Sequence, residues 1–340
     1  MRYRHLGRTG VPISRFSLGA SFFGTRIGRD DSAAILHRAL DLGVNVVDTA
    51  ESYLRPTPLA SEAVLGEILP DVRRDVFLAT KVGPARTWEA PAANRGLSRR
   101  VVLQAIEGSL RRLRTDHVDL LYAHFPDPET PLEETLGAID DLVRAGKVRY
   151  AGLSNHSAAR VAEALWTADR HGWRPIVATQ DLYNLFERVN EHDLYPLCQR
   201  HAIGAFAYAP LAGGLLTGKY SLAMARDATT IPGEARAAYY GRAGTDAAPA
   251  RSSPRLTEPT VLAAQRVAEW AEARGRRAAH VALAWVAGHP AVTSTLLGVT
   301  TPEQLNENVP AFDLELTPTE RSDVADLLPR GLVNRVHPTW

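Results

Sequence analysis

Residues 118–154, VDLLYAHFPDPETPLEETLGAIDDLVRAGKVRYAGLS, carry the clearest signal of the fold. They begin with the apolar run VDLLYA (118–123) and end with a second run, YAGLS (150–154). Between the two runs, apolar residues recur every three or four positions, and Gly146 follows the last of them, as is typical just after a helix. A strand, a helix and another strand in this order predict a β/α unit with parallel strands.

The same alternation runs through most of the chain. Six further apolar runs are separated by helical patterns, namely FSLG (16–19), VNVVD (44–48), VFLAT (76–80), IVATQ (176–180), GAFAYA (204–209) and VTSTLLG (292–298). Eight units in series predict an α/β protein with a closed (β/α)8 barrel, the TIM-barrel architecture. The main alternative, a doubly wound open sheet, expects a G-x-G-x-x-G loop after an early strand, and GASFFGTRIG lacks that spacing.

Three segments fall outside the eight units. Residues 2–14 predict a β-hairpin that turns near Thr9 and Gly10 and closes the barrel floor. Residues 212–256 are rich in Gly, Ala, Pro and Arg and predict a long loop without regular structure. LTPTERSDVADLL (316–328) begins with a helix-start signal and predicts an extra helix outside the barrel. No linker interrupts the pattern, so we expect one domain over residues 1–340.

Composition narrows the function classes. The 340 residues carry 39 Lys and Arg against 38 Asp and Glu, a net charge of +1, which predicts neither a nucleic-acid partner nor binding to an acidic membrane. Cys198 is the single cysteine, so an internal disulfide and a cysteine-based metal cluster are excluded, and we predict no metal site. The N-terminus lacks the apolar region of a signal peptide, which predicts a cytoplasmic protein. The oligomeric state is left open.

Polar residues stand at or just past the ends of three successive apolar runs. Asp48 ends the second run, Lys81 follows the third, and His124 follows the fourth. Tyr53 lies five residues beyond Asp48. Because the C-terminal ends of barrel strands meet at one mouth, these four side chains are expected to converge there.

These four residue types together suit the delivery of a proton to a carbonyl that receives a hydride. Tyr53 is the expected acid, and the Lys81 ammonium is expected to lower the pKa of its phenol from about 10. Asp48 would keep Lys81 protonated, and a neutral His124 would hydrogen-bond the substrate oxygen. Each residue alone is also compatible with an ordinary strand-end contact, but the joint pattern favours catalysis.

Several longer motifs resemble those of the aldo-keto reductase superfamily. They are DTAESY, SEAVLGEIL, FLATKVG, SLRRLRTDHVDLLYAH, GKVRYAGLSN, AYAPLAGGLLTGKY and TPEQLNENV, and their order matches over essentially the whole chain. The pattern is most similar to the long bacterial members related to potassium-channel β subunits. The resemblance implies that the four residues at the barrel mouth are the catalytic tetrad, with Tyr53 as general acid. It also implies a nicotinamide cofactor, with NADPH favoured and NADH not excluded.

The same resemblance implies a cofactor site in three parts. The nicotinamide end is expected at Ser154, Asn155, Gln180 and Tyr208, with the tyrosine stacked on the ring. The pyrophosphate is expected at Leu211, Gly213 and Lys219. The adenosine end is expected at Gly298, Thr300, Gln304, Glu307 and Asn308.

Two departures from the family pattern are visible. The tetrad tyrosine is usually followed by glycine, but residues 54–58 read LRPTP here, which predicts a reshaped pocket rim and a specialised substrate. In addition, no Arg or Lys stands next to Thr300 and Gln304 to bind the 2′-phosphate of NADPH. Arginines of the long loop, such as Arg236 or Arg251, are candidates for that charge.

Aromatic residues in loops after the strands are expected to line the substrate pocket. They are Phe22, Phe23, Trp88 and Phe125, and they suit an apolar or ring-bearing carbonyl compound, although packing of the barrel rim is an equal alternative for some of them.

The leading hypothesis is NADPH-dependent reduction of a small-molecule aldehyde or ketone. One alternative is a cofactor-binding regulatory subunit of the channel-β type. The other is a reductase of a nucleotide-linked keto- or enoyl-sugar.

Overall fold

A computed structural model describes residues 1–53, 59–83, 95–226 and 256–328. Two short antiparallel strands, β1 (Tyr3–His5) and β2 (Pro12–Ser14), form an N-terminal hairpin. Eight parallel strands then pair into a closed barrel, namely β3 (Phe16–Gly19), β4 (Val46–Asp48), β5 (Phe77–Val82), β6 (Val118–Ala123), β7 (Val148–Ser154), β8 (Ala178–Leu182), β9 (Gly204–Tyr208) and β10 (Val292–Leu297). The predicted (β/α)8 barrel is confirmed.

Helices surround the barrel. They are α1 (Arg29–Asp41), α2 (Ala60–Ile68), α3 (Arg99–Leu113), α4 (Leu132–Arg144), α5 (Ala158–His171), α6 (Leu194–His201), α7 (Leu222–Arg226), α8 (Glu258–Glu272), α9 (Ala278–Ala287), α10 (Pro302–Asn308) and α11 (Pro318–Asp326), with 3-10 turns at Arg73–Asp75, Val189–Glu191, Ala212–Thr217 and Val309–Phe312. Helix α11 is the predicted C-terminal helix, and Thr317 caps it in a capping box with Glu320.

The hairpin closes the floor of the barrel, as the sequence predicted. Leu6 and Ile13 are fully buried and pack against inward-facing barrel residues such as Val46 and Phe77. Gly7 lies against the starts of β8 and β9 with φ +52°, and a Cβ there would overlap the carbonyl oxygen of Ala202. The apolar interior is therefore sealed at the N-terminal ends of the strands, which leaves the C-terminal ends as the mouth.

The predicted long loop begins later than expected. Residues 212–226 were predicted to lack regular structure, but they contain the turn Ala212–Thr217 and helix α7. The turn is sharp because Gly213 and Gly214 both adopt positive φ, a geometry that hides any helical periodicity in the sequence. Residues 227–255, which include Arg236 and Arg251, lie outside the described residues.

Two features are absent from residues 1–53, 59–83, 95–226 and 256–328. No helix there is long and apolar enough to cross a bilayer. No group of three or more His, Cys, Asp or Glu side chains is placed there to hold a metal ion.

Candidate active site

The pleat of the strands aims the predicted catalytic residues into the barrel mouth. Side chains two residues apart on a strand share a face. On β5, Phe77 and Ala79 fill the barrel interior, so Lys81 is the next inward position towards the mouth. By the same count, Asp48 follows Val46 on β4.

The same alternation places residues from three further strands. Leu120 and Tyr122 fill the interior from β6, and His124 follows them at the next inward position. On β8 the residue after Ala178 on that face is Gln180, and on β9 the residue after Phe206 is Tyr208. Five strands thus deliver one polar side chain each to the same end of the barrel.

Lys81, Asp48 and Tyr53 form a compact hydrogen-bonded group. The Lys81 ammonium donates to Asp48 Oδ1, to the Tyr53 hydroxyl, and to the carbonyl of Thr49 at 2.9 Å. The Tyr53 hydroxyl also donates to Asp48 Oδ1 at 2.9 Å. Lys81 and Asp48 are each only 1% exposed, so this is a buried ion pair with a phenol attached to both partners. Such a pair is stable only with near-complete hydrogen bonding, which these contacts supply.

The pKa of Tyr53 shifts in the direction opposite to our expectation. Burial raises it well above its usual value, and the Asp48 carboxylate adds to the rise by charge and by hydrogen bonding. Burial also lowers the pKa of Lys81, although Asp48 offsets part of that fall. The sequence analysis considered only the ammonium beside the phenol, whereas the structure places a carboxylate equally close and excludes solvent from both.

His124 lies at the edge of this group. Its ring is edge-on to the Tyr53 ring, with 6.1 Å between the centroids, and it stacks on Phe125 at 4.5 Å. Its Nδ1 lies 3.1 Å from the hydroxyl of Ser52. The structure therefore brings all four tetrad candidates together.

The residues predicted to hold the nicotinamide form a network around Asn155. The Asn155 amide donates to Ser154 Oγ at 3.0 Å and to the His124 carbonyl at 2.9 Å, and its Oδ1 accepts from the Tyr208 hydroxyl at 2.7 Å. Gln180 donates from Nε2 to Asp48 Oδ2 at 2.8 Å. The nicotinamide-end candidates and the tetrad candidates are thus linked by hydrogen bonds.

The predicted pyrophosphate segment forms a cradle on the turn after β9. Gly213 and Gly214 adopt φ of +70° and +88°, next to Leu211. A Cβ on Gly214 would lie 3.0 Å from the Lys219 ammonium, so the lysine head group reaches over the glycine backbone. Exposed backbone and a cation at one point suit a phosphate.

Arg26 is a residue at this cradle that sequence reasoning missed. Its guanidinium lies 4.7 Å from the ring centroid of Phe22, and its charge lowers the pKa of Lys219, after a larger effect of burial. A cation placed close enough to depress another cation indicates a region of positive potential. No local motif marked Arg26, since its approach to Lys219 depends on the path of the loop after β3.

The adenosine-end candidates cluster around helix α10. Gln304 folds back onto Thr300, accepting from its backbone N–H at 2.9 Å and donating to its hydroxyl at 3.1 Å. Gly298 lies close to Phe22, because a Cβ there would come within 3.1 Å of the Phe22 ring. Asn308 ends the helix, and the Glu307 carboxylate accepts from Arg277 at 3.1 Å. No Arg or Lys stands next to Thr300 and Gln304 in the sequence, but Arg277, at the start of α9, brings a positive charge to this helix.

The aromatic pocket candidates separate into different roles. Phe125 stacks on His124 at the mouth, and its place in a substrate pocket stays a prediction. Phe22 instead lies between Gly298, a predicted cofactor residue, and Arg26. Phe23 is fully buried in the core, so it has no surface for a substrate, and its assignment to the pocket is corrected. Trp88 lies outside the described residues, as do residues 54–58.

Comparisons with known proteins agree with this architecture. A family model described as "Aldo/keto reductase family" matches residues 15–328. The chain belongs to the aldo/keto reductase family. Like other members it is an NAD(P)H-dependent oxidoreductase, and the match spans all eight barrel strands and begins just after the N-terminal hairpin.

Curated relatives of this aldo-keto reductase carry names of two kinds. A "Probable voltage-gated potassium channel subunit beta" from Arabidopsis thaliana is 33% identical over 320 residues, covering 92% of each chain. An "L-glyceraldehyde 3-phosphate reductase" from Escherichia coli is also 33% identical over 320 residues, covering 92% of this chain and 88% of the relative. "Aldo-keto reductase AMT2" from Alternaria alternata is 33% identical over 358 residues, covering 95% and 90%.

Proposed function

We propose that this aldo-keto reductase uses NADPH to reduce an aldehyde or ketone to the alcohol. The observation that carries the proposal is the Lys81 ammonium, which contacts the Tyr53 hydroxyl and Asp48 Oδ1 at once in a buried site. In that arrangement Tyr53 can donate a proton, and the phenolate that remains lies next to the Lys81 ammonium, which stabilises it. A carbonyl that accepts a hydride needs such a proton donor for its oxygen.

The described residues fit a dinucleotide cofactor. The Gly213–Gly214 turn leaves a cradle that a Cβ would fill, with Lys219 over it and Arg26 nearby. Asn155, Ser154 and Gln180 present amide and hydroxyl groups where the nicotinamide carboxamide would bind, with Tyr208 beside them. When bound, the reduced nicotinamide supplies the hydride.

Tyr53 acts as the acid, and its hydroxyl keeps its proton until negative charge develops on the substrate oxygen. Because burial and Asp48 raise its pKa, the phenol stays protonated at every physiological pH. An alkoxide forming on the substrate is a far stronger base than a phenolate, so the proton moves from the hydroxyl only as that charge develops. The Lys81 ammonium then stabilises the phenolate, and Asp48 keeps the ammonium in place.

We favour NADPH over NADH because positively charged side chains lie near the residues predicted to bind the adenosine end. Arg277 reaches Glu307 on α10, and Arg38 donates to Asn306 Oδ1 of the same helix at 2.7 Å. These guanidinium groups are candidates to bind a 2′-phosphate, which only NADPH carries.

The proposal is tested by following cofactor oxidation with NADPH and with NADH against a panel of carbonyl compounds. The panel includes aromatic aldehydes, ketones, glyceraldehyde 3-phosphate and nucleotide-linked keto-sugars. We expect turnover with at least one class, and a loss of at least about 100-fold in kcat in Tyr53→Phe with cofactor affinity retained. Unchanged turnover in Tyr53→Phe would overturn the proposed mechanism.

A second candidate function is a cofactor-binding regulatory subunit, because several relatives are named as potassium-channel β subunits. Such a subunit needs the cofactor site but not the acid. Tight cofactor binding without turnover across the whole panel would support it over the reductase.

A further inference from the structure

Ser52 stands one residue before Tyr53, and its hydroxyl lies 3.1 Å from Nδ1 of His124. The loop that carries it is pinned to the neighbouring strand, because Thr49 N–H donates to the Ala79 carbonyl at 2.9 Å and Glu51 N–H to the Lys81 carbonyl at 3.3 Å. Neither the tetrad nor the cofactor site uses this serine. Its contact with a candidate catalytic histidine is therefore unexplained by the function proposed above.

The surroundings fix the orientation of the His124 ring. Phe125 stacks on one face with an interplanar angle of 25°, and Tyr53 meets the ring edge-on at 80°. The backbone is held on both sides, since His124 N–H donates to the Val82 carbonyl and the His124 carbonyl accepts from Asn155, both at 2.9 Å. A ring held in this way keeps Nδ1 directed at Ser52.

The partner of one ring nitrogen determines the role of the other. A neutral imidazole has one N–H donor and one acceptor nitrogen, and the hydrogen bond at one nitrogen decides which is which. A serine hydroxyl can donate to a deprotonated Nδ1 or accept from a protonated one, and in both cases the ring stays neutral, whereas a carboxylate at that place would favour the charged imidazolium. Tyr53, with Lys81 and Asp48 behind it, supplies the titratable groups that face this side of the mouth.

We propose that Ser52 is a positioning residue that donates its hydroxyl proton to Nδ1 and so holds His124 as the neutral Nε2–H tautomer. In that form His124 donates a hydrogen bond to the substrate oxygen through Nε2, while Tyr53 alone supplies the proton. This inference rests on the proposed carbonyl reduction for its catalytic consequence, but the tautomer itself is a property of the protein.

The tautomer is read directly by nitrogen-15 NMR of histidine-labelled protein, with the His124 signals assigned among the 11 histidines by their loss in His124→Gln. We expect the Nε2–H pattern in the wild type and in Ser52→Thr, which keeps the hydroxyl. In Ser52→Ala we expect a mixture of tautomers and a fall in kcat of roughly 3- to 10-fold, the worth of one hydrogen bond, with cofactor affinity unchanged. Ser322→Ala, at an exposed serine on α11, is the matched control and should change neither readout.

Ser52→Asp gives an independent test that does not depend on losing a contact. A carboxylate at this place should raise the pKa of His124, giving an imidazolium signal in the NMR spectrum and a new pH dependence of kcat. An unchanged Nε2–H pattern in both Ser52→Ala and Ser52→Asp would overturn the inference. If Tyr53→Phe is inactive while these spectra are unchanged, the reductase proposal survives and only the role of Ser52 fails. If the spectra change as expected but Tyr53→Phe is fully active, the reverse holds.

Discussion

Gln180 and Asp48 are joined across the barrel mouth, because the Gln180 amide donates to Asp48 Oδ2 at 2.8 Å. The other carboxylate oxygen, Oδ1, accepts from Lys81 and Tyr53. One aspartate therefore connects the acid to a residue expected to hold the nicotinamide. The same carboxylate thus holds the Tyr53 hydroxyl and the Gln180 amide in place.

Replacing Gln180 should consequently affect cofactor binding and chemistry together. Gln180→Leu removes a hydrogen bond to a buried carboxylate, an interaction worth about 1.5–3 kcal/mol, so we expect kcat to fall by roughly 10- to 100-fold. The Kd for the cofactor should rise as well. Steady-state kinetics and fluorescence titration measure the two effects, with Gln199→Leu, at an exposed position on α6, as the control. A change in Kd with an unaltered kcat would argue against the shared role of Asp48.

The roles of Lys219 and Arg277 in cofactor binding should be distinguishable by comparing the affinities for NADPH and NADH. Lys219→Met removes charge from the pyrophosphate cradle and should weaken NADPH and NADH by similar factors, about 10-fold or more. Arg277→Gln should weaken NADPH alone, since only NADPH has a 2′-phosphate. Lys147→Met is the control, because Lys147 pairs with Glu107 and is not among the predicted cofactor residues. Equal losses for both cofactors in Arg277→Gln would exclude it from 2′-phosphate binding.

Asp181 should make the protein less stable as the pH rises. Burial raises its pKa to about 7, and its Oδ1 accepts from Asn155 N–H at 3.1 Å. Oδ2 has no hydrogen-bond partner among the residues described. In the unfolded chain the pKa is about 3.9, so folding binds a proton between these values, and the stability present near pH 4 declines until about pH 7.

Asp181→Asn keeps the acceptor for Asn155 and removes the titration. We expect the thermal midpoint of the wild type to fall between pH 4 and pH 7 by more than that of the variant. Over the same pH range, the free energy of unfolding of the wild type should fall by on the order of 2–4 kcal/mol more than that of the variant. Parallel midpoints across that range would show that Asp181 does not titrate in the fold.

A single methyl group should disturb the packing of α2 on α3. Gly66 lies so close to α3 that a Cβ there would overlap the carbonyl oxygen of Arg112, a backbone atom that cannot move aside. Gly66→Ala should therefore destabilise the protein by about 1–3 kcal/mol. Gly10→Ala in the hairpin turn, where a Cβ meets nothing within 4 Å, should change stability by less than about 1 kcal/mol. Equal effects of the two substitutions in denaturant unfolding would contradict this packing.

Much of the fold and the convergence of the tetrad were predictable from local patterns. Apolar runs such as VDLLYA mark strands, and the two-residue repeat on each strand places Lys81, Asp48 and His124 at one mouth. Every predicted strand is present, with ends shifted by at most two residues. These features depend on periodicity, which a single sequence shows directly.

The relations between distant residues were not predictable. No local pattern indicated that Gln180 would donate a hydrogen bond to Asp48, 132 positions away, or that Arg26 would lie close to Lys219. The pKa of Tyr53 depends on the balance between burial, a carboxylate and an ammonium, which only distances can decide. Phe23 likewise has a loop-like sequence context but turns into the core.

The most direct test of the central claim follows the hydride itself. The enzyme is incubated with NADPH deuterated at nicotinamide C4, on each face in turn, and a carbonyl compound that it turns over. We predict that one of the two labelled forms places one deuterium on the carbinol carbon of the alcohol. We also predict that Tyr53→Phe, although it still binds NADPH, yields almost no labelled product. An alcohol without deuterium from either form, or full labelled turnover in Tyr53→Phe, would contradict the account.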